Sequence, residues 1–161
     1  MSTATVTETP SSTDRRDEKP LGGRFGAGAA NYIDERTSLS GMVYVDANRD
    51  GQHDPGETSG VANVTITLSG TDDLGAPVSL ATTTDGAGAY HFDNLRPGTY
   101  KIVETQPALW DNGGTNVGTV NGTPRGTGSV SDTISAIVLA AGETGIGYDF
   151  GELGQGLGGF V

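Results

Sequence analysis

The sequence predicts an all-β fold, a seven-stranded antiparallel β-sandwich of Ig-like kind behind a disordered N-terminal tail. Three observations lead there. Apolar residues recur at every second position in short stretches, the period of a half-buried strand. Turn residues punctuate the chain every few positions, with 27 glycines among 161 residues. Threonine-rich segments and an apolar content of only 34% argue against a helical bundle.

Residues 1–38 read as a disordered linker. Thr, Ser and Pro open it, mixed charge follows in Asp14-Arg-Arg-Asp-Glu-Lys19, and Gly-Ala-rich sequence runs from Leu21 to Ala30. Without an apolar period it cannot bury enough surface to offset its ordering entropy. The pattern turns to period two at Leu39, and the domain is expected over residues 39–152.

Leu39–Val45 is the first expected strand. Val61–Ser69 is the second, with Val64, Ile66 and Leu68 on one face and Thr65 and Thr67 on the other. Val78–Thr84 is the third, and the turn Asp85-Gly-Ala-Gly88 reverses the chain into Ala89–Leu95, where Tyr90 and Phe92 share a face. Arg96-Pro97-Gly98 makes the next turn, since Pro presets φ and Gly accepts positive φ. Thr99–Glu104 follows, with Tyr100 and Ile102 alternating against Lys101 and Val103. A long Gly/Asn/Thr-rich loop is expected from Thr105 to Asp132, carrying Trp110. Thr133–Leu139 and Gly145–Phe150 complete the seven, the last with Ile146, Tyr148 and Phe150 in alternation. Residues 153–161 read as a linker. Within it Leu157-Gly-Gly-Phe-Val161 echoes Leu39-Ser-Gly-Met-Val43, as the start of a truncated further repeat would.

Charge narrows the partners. The net charge is −11, and the first 38 residues hold six acids against five bases. The folded part therefore carries nearly all of the excess. Such a surface repels phosphate backbones, so nucleic acid is not an expected partner, and it attracts divalent cations. There is no cysteine, which excludes disulfides and thiolate metal sites. No apolar run is long enough to insert in a membrane. The first residues lack the basic start and apolar stretch of a secretory signal, so either the export signal is not on this chain or the gene begins unconventionally.

The strongest motif lies between the first two strands. Asp46-Ala-Asn48-Arg-Asp50-Gly51-Gln-His-Asp54-Pro-Gly-Glu57 satisfies the twelve-residue calcium loop D-x-[DN]-x-[DN]-G-x5-E. Calcium takes six to eight oxygens at roughly 2.3–2.6 Å, which a curled loop supplies from alternate positions. Asp46, Asn48 and Asp50 would give side-chain oxygens and Gly51 the sharp turn. Gln52 would offer its carbonyl, Asp54 would act directly or through water, and Glu57 would close the sphere with both oxygens. A solvated acidic turn uses similar residues, but not at these six positions together. A dockerin-like module shares the opening, yet needs a helix after the loop, where Gly60–Leu68 reads as a strand.

Catalysis has little to stand on. His53 lies in the loop at a non-liganding position and His91 lies on a strand, both read as plain surface side chains. No serine has a nucleophile's context, and carboxylates pair only where calcium would use them. Trp110, beside Asp111 and Asn112, could stack on a sugar ring or a partner peptide, which would make an adhesive or carbohydrate-binding module. The plainer reading is that it caps the open end of the sandwich as core.

In order along the chain stand Gly41-Met-Val-Tyr-Val-Asp46, Gly51, Glu57, Gly60-Val61, Thr84-Asp85-Gly-Ala-Gly-Ala-Tyr90-His-Phe92, Leu95-Arg-Pro-Gly-Thr-Tyr100, Glu104-Thr-Gln-Pro107 and Tyr148-Asp-Phe-Gly-Glu152. Together they resemble the B-type repeat of Ser-Asp-repeat surface adhesins, the SdrD B-like domain, within the collagen-adhesin B-type, prealbumin-like sandwich group. The resemblance covers about residues 39–152. It implies a bacterial extracellular or cell-surface stalk module that binds calcium through Asp46, Asn48, Asp50, Gln52, Asp54 and Glu57. It also implies neighbouring repeats or surface proteins of the same assembly as partners, with an extracellular protein or glycan as a further ligand. Further calcium sites in such repeats draw on acidic loops; Asp72, Asp73, Asp111 and Asp132 are candidates, with solvated loop acids the better reading. Some relatives in the broader group form a lysine isopeptide cross-link from the first strand. No lysine lies in Leu39–Val45, and Lys101 alternates opposite Tyr100 and Ile102, so Glu104 and Asp149 have no amine to activate.

Overall fold

The computed structural model describes residues 36–155, and among these it is all-β. Two sheets face each other as a sandwich. The larger has seven strands in the order β6 (Trp110–Asn116), β12 (Asp149–Gly154), β1 (Thr37–Val45), β11 (Thr144–Ile146), β7 (Thr119–Val120) and β8 (Thr123–Pro124), with β4 (Ala89–Leu95) paired to β1. The smaller has five, in the order β3 (Pro77–Thr83), β2 (Thr65–Asp72), β5 (Gly98–Glu104), β10 (Thr133–Leu139) and β9 (Thr127–Val130). Residues 1–35 of the expected tail, and the Leu157–Val161 echo, lie outside the described residues.

The sandwich is as expected, but its strands are more numerous and not all antiparallel. β1 runs parallel to both β11 and β12. It is flanked antiparallel by β4, with Gly41 opposite Tyr90 and Met42 opposite Ala89. The alternation places the core where it was read. Val64, Ile66, Leu68, Tyr90, Phe92, Tyr100 and Ile102 are all buried, and Lys101 is exposed.

Three departures have local causes. The second strand starts at Thr65, because Asn63 takes a positive φ of 64°. Val61 and Val64 are still buried there, held by the Thr84 hydroxyl, which donates to the Val61 carbonyl at 2.7 Å and accepts from the Val64 amide at 2.9 Å. The last expected strand is two strands, parted at Gly147 with φ 75°. That left-handed residue breaks the alternation, so Tyr148 and Phe150 are buried while Ile146 is 55% exposed. The expected loop from Thr105 to Asp132 contains β6, β7, β8 and β9. β6 carries almost no apolar side chains, so no period announced it. It forms because it pairs along β12, with Asn116 opposite Asp149 and Trp110 opposite Gly154.

Candidate metal centre

Loop 46–57 leaves the end of β1 and is tied at its base to β12, where the Asp46 amide donates to the Glu152 carbonyl at 2.9 Å. Its interior is organised by its own acids. The buried Asp46 carboxylate accepts from the Asp50 amide at 3.2 Å and the Gly51 amide at 2.9 Å. Gly51 makes the turn with φ 78°, a conformation side chains resist. Asp50 accepts from the Gln52 amide at 2.8 Å. The Asn48 side-chain amide donates to Asp50 at 3.1 Å and to Asp54 at 2.9 Å, so loop positions 3, 5 and 9 converge on one point. Glu57 folds back over the loop, accepting from the Ala47 amide at 2.7 Å and the Asp54 amide at 3.1 Å. Those backbone donors, the Asp54 amide foremost, hold its carboxyl below the usual range.

Five of the six residues read from the sequence are thus brought together by side chain, around an oxygen-rich interior suited to a hard cation. Gln52 occupies its turn position with its side chain exposed. The residues fit calcium: the turn is formed, and carboxylates of three loop acids are already oriented by backbone amides.

His53 corrects the sequence reading. It is not a plain surface side chain but the loop's attachment to the sandwich. Its ring stacks on buried Tyr44 at 4.2 Å between centroids. One nitrogen meets Asp149 at 2.7 Å and the other the Glu57 carbonyl at 3.2 Å. Asp149 in turn accepts from the Met42 amide of β1 at 2.8 Å. β6 also presses against the turn. A Cβ on Gly114 would stand 2.1 Å from the Gly51 carbonyl oxygen, so only glycine lets the two backbones meet.

A second acidic cluster lies inside the sandwich and was not anticipated as a group. Glu104 at the end of β5, Asp132 in the turn between β9 and β10, and Glu152 on β12 offer carboxylate oxygens that all lie within 4.8 Å of one another, a group that could hold a metal ion. Burial first, then the neighbouring Glu152 carboxylate, pushes Glu104 up to about 9. Burial likewise pushes Glu152 up to about 7 and raises Asp132. Gln106 donates to Glu152, and Asn112 of β6 donates to Asp132. Asp132 was a candidate acid on its own, and parity was a signal for the other two: Glu104 shares the inward face of Tyr100 and Ile102, and Glu152 that of Phe150.

The other candidate acids are otherwise engaged. Asp72 accepts from the Leu74 and Ala76 amides at 2.9 Å each, shaping its turn. Asp73 takes a two-pronged contact from Arg96, at 2.8 and 3.1 Å. Asp111 is exposed, so of the four only Asp132 joins a cluster. Trp110 is half-buried on β6 and packs against the core. A shallow groove that includes Met42, His53, Pro55 and Thr58 lies beside the loop and not at Trp110.

The sandwich, the loop between β1 and β2 and the Tyr148–Glu152 ending coincide with one known domain. The SdrD B-like domain model matches residues 37–152. The chain belongs to the SdrD B-like domain family. Curated relatives carry the domain as a small part of long proteins. The bone sialoprotein-binding protein of Staphylococcus aureus is 40% identical over 85 residues, 53% of this chain and 7% of that one. Serine-aspartate repeat-containing protein E of the same species is 39% identical over 77 residues, 48% of this chain and 6% of that one. Colossin-A of Dictyostelium discoideum is 38% identical over 78 residues, 48% of this chain and 1% of that one. The match therefore concerns a module and not those whole proteins.

Proposed function

We propose that this SdrD B-like domain is a calcium-binding structural spacer, a stalk module of a cell-surface or secreted multi-repeat protein that supports adhesion without performing catalysis. The observation that carries the reading is the convergence of Asp46, Asn48, Asp50, Asp54 and Glu57 in a loop that leaves β1 and returns beside it, with Gly60 bridged to Tyr44. Gln52 completes the ligand set through its backbone carbonyl. Calcium, when bound, neutralises the clustered carboxylates. The rest is done by the chain: Asp46 and Glu57 hold the loop's amides, and His53 fastens it to Tyr44 and Asp149. Among the described residues no helix flanks the loop, so there is no helix pair to open.

The partners consistent with this role are neighbouring repeats of the same assembly and, through them, extracellular ligands. One relative is named for binding bone sialoprotein; here the module's contribution to such binding is reach and stiffness. An adhesive role for Trp110 is less well supported, because its ring packs against the core. Limited proteolysis tests the spacer reading. Calcium is expected to protect residues 46–60 from cleavage and chelator to expose them. Equal cleavage rates in both conditions would remove the basis for a calcium-held loop.

A further inference from the structure

We propose that the free edge of β3 is a self-association surface, along which a second copy of this chain pairs antiparallel about Leu80. β3 closes one end of the five-stranded sheet and is paired on one side alone, with β2. Its other side leaves a row of backbone donors and acceptors with no strand beyond it among the described residues. Such edges are usually guarded, and the others in this sandwich are. β4 carries His91 and Asp93, and β6 carries Asp111. β8 is two residues long with Pro124, and β9 is four residues long and lies against β6. β3, Pro77-Val-Ser-Leu-Ala-Thr-Thr83, holds no charge. Its one guard is Pro77, which at the first position leaves residues 78–83 open to pairing.

The core side of this strand is also unfinished. Leu80 stands opposite fully buried Leu68, on the same face of the sheet. Yet Leu80 is 44% exposed, because no neighbour covers it from the far side. Val78, opposite Gly70, is partly buried and packs against the core. A second β3 completes this surface. Turned about Leu80, the two strands set Leu80 against Leu80, Ser79 against Ala81 and Val78 against Thr82. The period of two then puts Val78, Leu80 and Thr82 of both copies on the core side, each facing an apolar or β-branched partner. A slip of one residue would turn the second copy's core side outward, so the register is specified.

Charge favours a second copy at this place over any other. The folded part carries nearly all of the net −11, so two copies repel wherever acids meet. Neither β3 nor the outward residues beside it on β2, Thr65, Thr67 and Ser69, is acidic. Like chains therefore meet here with little repulsion. One strand pair is a small interface next to the roughly 1,200–2,000 Å² of a standard one, so the contact is weak for a single module and gains by repetition. It uses no residue of loop 46–57 and so does not rest on calcium.

Sedimentation equilibrium of the full chain, from micromolar to millimolar concentration, tests the proposal alongside Leu80→Lys and Ala81→Glu. The mean mass is expected to rise with concentration and level off at two chains, since a twofold contact closes on itself. Added salt is expected to strengthen the association by screening the net charge. Each variant brings like charges together across the twofold axis, and a loss of about tenfold or more in association constant is expected. Ala81 is exposed, so its variant decides should Leu80→Lys not fold. A chain that stays monomeric at millimolar concentration would overturn the proposal, as would variants that associate as strongly as the unmodified chain. Masses that climb past two chains, or association that appears only in calcium, would put the contact elsewhere and overturn it too.

Discussion

In loop 46–57 each carboxylate is met by donors of the loop itself, whereas inside the sandwich Glu104 is met by none. Glu57 and Glu104 are the same side chain, and both are nearly buried. Backbone amides draw Glu57 below its ordinary range, while burial without donors carries Glu104 up to about 9. Burial by itself therefore does not decide how an acid behaves; the supply of N–H groups does. The loop is charged and organised ahead of any ion. In the acidic cluster both Glu104 oxygens and one of Glu152 have no hydrogen-bond partner among the described residues.

The largest way to break the contrast is to spoil the loop's support from outside. Gly114→Ala places a methyl against the Gly51 carbonyl, and either β6 or the turn must move. A loss of about 3 kcal/mol in denaturant unfolding is expected, with weakened calcium uptake. An unchanged midpoint would mean that β6 does not buttress the loop.

Acidity separates the two regions next. Glu104 and Glu152 hold protons more tightly folded than unfolded, so their contribution to stability is full below the ordinary carboxyl value of 4.5. It drains away as pH rises through about 7 and towards 9. Glu57 runs the other way, contributing above 4.5 and losing its contribution as pH falls. In chelator, thermal stability is expected to fall between roughly pH 5 and pH 8. Glu104→Gln should flatten that fall and add about 2 kcal/mol at its alkaline end. A Glu104→Gln chain with the unmodified pH profile would show that the cluster does not set it.

The smallest effect is on the loop's attachment. His53→Ala removes the stack on Tyr44 and the contact to Asp149, an expected loss of about 1 kcal/mol with faster amide exchange confined to the loop. Exchange that speeds up evenly across the domain would argue for a general core defect.

How much of this was legible depends on how far along the chain the signal was spread. The loop could be read because its acids, amides and glycine fall within twelve consecutive residues at the spacing of a known motif. The strands with apolar alternation could be read for the same local reason. Glu104, Asp132 and Glu152 meet only through the pairing of β5 with β10 and the packing of one sheet on the other, which no local window contains. Asp132 was read singly, as one loop acid of four, and Glu104 as a carboxylate without an amine; nothing in the sequence joined them to Glu152. β6 escaped because its contacts are made by backbone, through Gly114 on Gly51, and Ile146 was misplaced because one left-handed glycine shifts its face. His53 looked idle because its partners Tyr44 and Asp149 lie on different strands.

Thermal unfolding of the full chain in calcium and in chelator tests the calcium-held loop most directly. At a hundredfold excess of calcium over Kd, a single site that binds only the folded form adds about 2.7 kcal/mol. The melting temperature should therefore rise by several degrees in calcium, and that rise should shrink in Asp46→Asn/Asp50→Asn. Superimposable melts of the unmodified chain, with and without calcium, would contradict it.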